Sequence, residues 1–300
     1  MKNIAVLLGG CGKEREVSLN SGKATLESIN KLGYKAFEID LPEDLNLLIE
    51  QLKNINPDVV FNCLHGPIGE DGVVQAILDE LKIPYTHSGA KTSELAMDKW
   101  RSYELFKKEG IPTPNTLKIN MLEDSGSPME LPFMVKPINE GSSVGIKVIY
   151  TKEEWDLTRK NWQFGTECIV QQYMKCREVH VAVLNNIALG TIEVCPNDGF
   201  DFFSYQAKYV AGESKFICPA PITESETNLA KETALKVYQA LNCRGLARID
   251  MLFDGHQFYV LELNTQPGFT STSLAPQIAQ SQGISFTELV SKMIDCAKCD

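Results

Sequence analysis

Long apolar runs are missing from this sequence, and so is any surplus of positive charge. No stretch approaches the ~20 apolar residues that cross a bilayer, so no membrane partner is expected. Lys and Arg number 29 against 39 Asp and Glu, for a net charge of −10. That balance argues against nucleic acid as a partner, because phosphate backbones demand clustered cations. A nucleotide can still bind if a few cations are placed locally. Nine cysteines are scattered and odd in number, which excludes a disulfide framework. The one C-x-x-C, Cys296-Ala297-Lys298-Cys299, has no second pair, so a frayed helix end with free thiols is expected there. Ile4 to Leu8, running into Gly9-Gly10, is too short for a signal-peptide core and reads as a buried strand. A cytoplasmic protein is expected.

What is present is an ordinary globular composition over 300 residues, 43% apolar and 23% charged. Two or three domains follow from that length. Residues 1–90 alternate strand and helix patterns, which implies a parallel sheet covered on both faces. Residues 91–172 and 173–300 read as two α+β units. A capping-box pattern at Thr223 and Glu226 starts a helix, and Ser285 with Glu288 starts the last one.

The most informative segment is a hairpin. Leu246–Phe253 and Gln257–Asn264 are two β-rich runs around Asp254-Gly255. With a turn centred near 256, alternation puts Arg248 opposite Asn264 and Asp250 opposite Glu262 on one face. Ile249, Met251, Phe253, Tyr259, Leu261 and Leu263 fall on the other, as core. Two carboxylates and an amide oxygen together suit Mg²⁺ bridging nucleotide phosphates. A solvated face with an Arg–Asp–Glu cluster would show the same pattern. The polar turn that follows, Asn264 to Ser273, offers N–H groups and hydroxyls to an anion.

Three further loops follow strands. Glu140-Gly141-Ser142-Ser143-Val144-Gly145 can wrap an anion, although it is not a Walker A loop. Lys136, on an otherwise apolar strand expected over 133–136, needs an anionic partner such as phosphate. Gly9-Gly10-Cys11-Gly12 joins a strand to a helix, and with Asp40 it suggests a nicotinamide-dinucleotide site, but Arg15 replaces the third glycine. His65, in Cys63-Leu64-His65-Gly66, is the histidine favoured as functional. His87, His180 and His256 are expected to be structural or exposed.

In this order the motifs resemble the D-alanine–D-alanine ligases of the ATP-grasp superfamily. They are L-L-G-G with E-R-E-V-S-L-N-S-G at 14–22, L-H-G-x-x-G-E-D-G at 64–72, M-D-K at 97–99 and E-G-S-S-V-G at 140–145. A-K-Y at 207–209, R-I-D at 248–250 and E-x-N-T at 262–265 complete the set. The resemblance implies an N-terminal Rossmann-like (pre-ATP-grasp) domain over 1–90. A two-part ATP-grasp fold over 91–172 and 173–300 would follow, with ATP between its halves. It implies Lys99 and Lys136 on phosphates with the 141–145 turn closing over them, Gly141, Ser142 and Ser143 binding ATP there, and Lys208 reaching the γ-phosphate. Gln171, Gln172 and Met174 would line the adenine, and Glu178 would take the ribose hydroxyls. Asp250, Glu262 and Asn264 would hold two Mg²⁺ ions, with Mn²⁺ as a substitute. Glu14 would anchor the first D-alanine's amino group, with His65 near its carboxyl end, while Ser142 and Tyr209 close the site. Arg248 and the Gly268 N–H would stabilise an oxyanion, and Ser273 and Leu274 would hold the second D-alanine. A homodimer is also implied.

The sequence departs from that family at Gln171 and Gln206, where glutamate is usual, and at Gln266, where a small residue is. Two other functions remain open on the residues. A hydroxy acid as second substrate would give an ester, although Tyr209 favours the amide. A non-catalytic nucleotide-binding module would have no need of Arg248.

Overall fold

The computed structural model describes residues 2–12, 14–123, 126–141, 143–196 and 214–300. The chain opens with β1 (Asn3–Leu8), α1 (Arg15–Lys31), β2 (Lys35–Asp40), α2 (Leu45–Ile55), β3 (Val59–Asn62) and α3 (Val73–Glu80). The strands form a parallel sheet in the order β2-β1-β3. β1 is apolar at consecutive positions because both of its faces are covered. Ala5 and Leu7 pack toward α2 and α3, while Ile4, Val6 and Leu8 pack toward α1 and the C-terminal helices. Helix and strand approach closely where α1 crosses β1. A Cβ on Gly22 would come within 2.5 Å of Leu8.

Next come α4 (Ala90–Met97), α5 (Lys99–Lys108), β4 (Thr116–Asn120), β5 (Phe133–Lys136), β6 (Lys147–Ile149), α6 (Lys152–Lys160) and β7 (Glu167–Gln172). The strands make a second sheet, ordered β4-β7-β5-β6. The strand after the glycine loop begins only at Lys147, and residues 143–145 form a turn. Val144 N–H bonds to Gly141 O and Ile146 N–H to Ser143 O, and Ser143 is left-handed at φ 59°.

The third sheet takes β8 (Arg177–Leu184), β9 (Ile187–Pro196) and β10 (Ser214–Ile217). It is completed, after α7 (Glu224–Ala240), by β11 (Leu246–Phe253) and β12 (Phe258–Asn264). Its order is β10-β9-β8-β11-β12. Thr223 and Glu226 form the expected reciprocal capping box at α7. The chain ends in α8 (Leu274–Ser281) and α9 (Phe286–Asp295), with Ser285 Oγ accepting from Glu288 N–H. These last helices lie between the N-terminal sheet and the five-stranded sheet and share one apolar core with both.

The hairpin of β11 and β12 has the expected register at its functional end, Arg248 opposite Asn264 and Asp250 opposite Glu262. Nearer the turn, however, the pairs are Met251–Val260, Leu252–Tyr259 and Phe253–Phe258. Leu261 is therefore an extra residue on β12, a β-bulge, and below it the facing of β12 is inverted. Phe258 and Val260, each 1% exposed, occupy the core positions expected for Tyr259 and Leu261. Leu263, beyond the bulge, is core as expected.

The end of the chain is not frayed. Tyr85 and Lys298 form a β-bridge, and Asp300 N–H bonds to Asp79 Oδ1. Arg244 fastens the same corner. It donates to the carbonyls of Tyr85 and His87 at 2.9 and 2.6 Å and to Asp300 at 3.1 Å, and lies over the Tyr85 ring.

Candidate active site

Loops after strands of the first and third sheets are joined by buried hydrogen bonds. Ser18 Oγ, in the first turns of α1, donates to the Cys63 carbonyl at 2.8 Å, which sets Glu14 beside the loop carrying His65. Ser21 Oγ accepts from Phe269 N–H, and the Gln266 amide nitrogen donates to the Leu64 carbonyl. The loop after β12 is thus tied to the loop after β3. Gln266, where the family usually has a small residue, is only 3% exposed and serves as this tie.

The result is a cavity of about 340 Å³. It gathers Glu14, His65, Arg248, Gly268, Ser273 and Leu274, all expected at the amino-acid site. Glu14 reaches across it. A Cβ placed on Gly66 or on Gly141 would lie 3.3 or 3.5 Å from Glu14 Oε2. Ser273 Oγ bonds to Thr270 N–H at 3.0 Å, which fixes the loop around Gly268.

A second cavity, about 350 Å³, lies between the two larger sheets. Lys136, Ser143, Gln171, Gln172, Met174 and Glu178 line it, with Asp250 on its wall. Lys99 and Gly141, expected at phosphates, line the first cavity instead. Lys99 Nζ donates to the Glu140 carbonyl at 2.6 Å and lies 3.5 Å from Glu262. Glu262 borders both cavities. Ser142, Lys208 and Tyr209, and the departure at Gln206, lie outside the described residues.

Asp250 is 3% exposed and held by several donors. Arg248 Nε and Nη2 reach its two oxygens at 2.7 and 2.8 Å, and the Asn264 amide donates to Oδ2 at 3.1 Å. His180, expected to be structural or exposed without a partner, is fully buried between two candidate site residues. Its Nε2 lies 2.8 Å from Glu178 and its Nδ1 3.1 Å from Asp250. The cause is strand pairing, since His180 on β8 stands directly opposite Asp250 on β11.

Glu70 was not singled out from the sequence. Its Oε1 lies 3.1 Å from His65 Nδ1 and its Oε2 accepts from Gly66 N–H at 3.0 Å. The signal was its place in the loop motif five residues after His65. Burial works against the His65 imidazolium, but the hydrogen bond and charge of Glu70 outweigh it and raise the pKa. His87 is structural, as expected. Burial pushes it down to about 3, and it packs edge-on against Phe61 and Phe269.

The dinucleotide reading fails at Arg15, which stands in the third glycine's place and is paired with Asp40. Arg15 Nη1 and Nη2 bond both of its oxygens at 2.7 and 2.6 Å, so the carboxylate is engaged by protein and held below the usual range.

Residues 99–295 match the family model for the D-ala D-ala ligase C-terminus, and residues 42–88 match the model for its N-terminus. The chain belongs to the D-alanine–D-alanine ligase family. Among its relatives, the D-alanine–D-alanine ligase of Rhodospirillum rubrum is 42% identical, covering 100% of this chain and 99% of the relative. The D-alanine–D-alanine ligase B of Mesorhizobium japonicum is 41% identical over 99% and 98%. A D-alanine–D-alanine ligase of Bacillus anthracis complexed with ATP superposes with a TM-score of 0.86 at 29% identity, covering 99% and 97%. The VanG D-Ala:D-Ser ligase of Enterococcus faecalis superposes at 0.84, with 29% identity over 98% and 99%. As in these ligases, the fold is ATP-grasp. Among the described residues no helix is long and apolar enough to cross a membrane.

Proposed function

We infer that the chain joins two D-alanines to D-alanyl-D-alanine with cleavage of ATP to ADP and phosphate, for peptidoglycan precursors. The observation that carries this reading is the position of Glu262 on the wall of both cavities. A nucleotide in one and an amino acid in the other would meet at that carboxylate. The first D-alanine's carboxylate attacks the γ-phosphate to give an acyl phosphate, and the second D-alanine's amine then displaces phosphate. Glu14 anchors the first amino group, beside His65. Arg248 and the Gly268 N–H stabilise the carbonyl oxygen, where negative charge develops as the amine adds, and Ser273 and Leu274 hold the second carboxylate. Lys99 and Lys136 neutralise phosphate, with the loop at Gly141 to Ser143 as lid and Lys208 and Tyr209 completing the closure. Gln171, Gln172 and Met174 take the adenine and Glu178 the ribose. Phosphoryl transfer asks mainly for positioning and charge neutralisation, which this residue set supplies without a nucleophile.

Asp250, Glu262 and Asn264 fit Mg²⁺, with Mn²⁺ as substitute. They present oxygens from paired positions on one sheet face. Among the described residues no group of three or more His, Cys, Asp or Glu is placed to hold a metal. Two carboxylates and an amide leave coordination positions for phosphate oxygens, the usual arrangement for this ion. A metal ion held there would supply charge neutralisation and polarisation at the phosphates.

The units 1–90, 91–172 and 173–300, a homodimer and a cytoplasmic location complete the reading. The dimer is checked by light scattering. The reaction is tested by following ADP release with D-alanine, L-alanine and D-lactate and weighing the products. ADP release with D-lactate and an ester product would replace the amide reading. Nucleotide binding without turnover on any of them would leave a binding module.

A further inference from the structure

We infer that Thr116 sets the nucleobase preference of the nucleotide cavity by fixing which end of the Gln171 amide faces it. The inference rests on the reading above that Gln171 meets the base. β4, β7 and β5 lie side by side, with Thr116 directly opposite Gln171 and Met134 flanking it on the other strand. Alternation puts Thr116, Gln171 and Lys136 on one face. All three are buried, at 3%, 6% and 8% exposed, and line one small cavity. Gln171 and Lys136 also border the nucleotide cavity.

Donor counting fixes the polarity of this set. A lysine ammonium only donates, so the Gln171 atom 2.6 Å from Lys136 Nζ is the amide oxygen. The amide nitrogen then faces Thr116 and donates to Oγ1 at 2.9 Å. Having accepted that bond, the hydroxyl gives its own proton to the Pro114 carbonyl at 2.9 Å. The relay Gln171–Thr116–Pro114 therefore runs in one direction, and it holds the amide oxygen, an acceptor, toward the nucleotide side. Adenine offers a donor at its exocyclic amine, whereas guanine offers a carbonyl that this oxygen opposes. When Lys136 turns to phosphate, Thr116 is left as the group that keeps the amide from turning over. Released, the amide can present N–H to guanine. A carboxylate at 171 would show an acceptor in either orientation, so this control is particular to glutamine.

The experiment compares kcat/KM for ATP and GTP, at saturating D-alanine, in the wild type and in T116V, T116S, Q171A, Q171E and the double variant Q171E/T116V. T116V narrows the ATP preference about tenfold, on the scale of one hydrogen bond, chiefly through better use of GTP. T116S restores the preference, and T116V has no further effect on it in the Q171E background. T116A gives the same readout should the valine variant not fold. A preference lost in Q171A but intact in T116V overturns the inference and leaves the base contact standing. A preference intact in Q171A removes the base contact itself. Equal narrowing by T116V in both backgrounds overturns the relay in favour of packing.

Discussion

Arg248 and Asp250, two residues apart on β11, are joined by two parallel hydrogen bonds of 2.7 and 2.8 Å. The planar guanidinium and the carboxylate so form one rigid unit, carrying a candidate oxyanion stabiliser and a candidate metal ligand together. Replacing Arg248 with Ala is expected to lower kcat by roughly 10²–10³-fold with little change in nucleotide affinity. Lys at this position should not restore it, because one ammonium cannot span both oxygens. Steady-state kinetics decide the matter. Near-normal kcat with only a raised KM would make Arg248 a ground-state clamp.

Asp250→Asn removes a charge from the wall of the second cavity, and Glu262→Gln removes one from the wall that both cavities share. Both variants should keep their circular dichroism spectra and lose turnover. Titration calorimetry of ADP with and without Mg²⁺ supplies a second readout. The metal-dependent gain in affinity expected of the wild type should vanish in both. Substantial activity at saturating Mg²⁺ in either variant would remove the metal assignment.

The His65–Glu70 pair gives stability a pH dependence of known sign. The folded pKa of His65 is raised, so its contribution is fully present below the unfolded value of about 6.5 and is lost as pH rises through the folded value. In Glu70→Gln the supporting charge is gone, burial and the Arg248 charge act against the imidazolium with only Glu14 favouring it, and the pKa falls. The Tm difference between wild type and variant should therefore be largest below about pH 6.5 and shrink above it. A difference that grows with pH would contradict the pairing.

Arg244 is 9% exposed and answers two main-chain carbonyls. Arg244→Met should cost about 2–4 kcal/mol in denaturant unfolding, since those carbonyls lose their donor. Hydrogen exchange at Tyr85 and Lys298 should quicken along with it. Unchanged protection there would mean the terminal strap holds without the arginine.

Much of this was legible where the chain states its own local physics. The capping box at Thr223, the continuous apolar run of β1 and the pairing of Asp250 with Glu262 are short-range patterns with few alternatives. What escaped depends on neighbours distant in sequence. His180 looks like any histidine in a β-strand until pairing with β11 sets it against Asp250. Arg244 and Gln266 find their partners 159 and 202 residues away. Tyr259 and Leu261 were misplaced for another reason. Alternation assumes one residue per step, and nothing in Tyr259-Val260-Leu261-Glu262 announces the bulge.

That bulge also decides what the second cavity presents to a guest. Neighbours on a regular strand point to opposite sides, so one wall receives either a greasy side chain or a charged one from any adjacent pair. The added residue lets Leu261 and Glu262 border the same cavity. Two consecutive positions can thereby serve the two halves of an amphiphilic guest, hydrocarbon for a flat ring and carboxylate for a polar or cationic part. A strand lacking Leu261 could pair continuously from Phe258 to Asn264 and keep every remaining side chain on its present side. It would have the machinery for transfer and a thinner seat for the molecule that delivers the phosphoryl group.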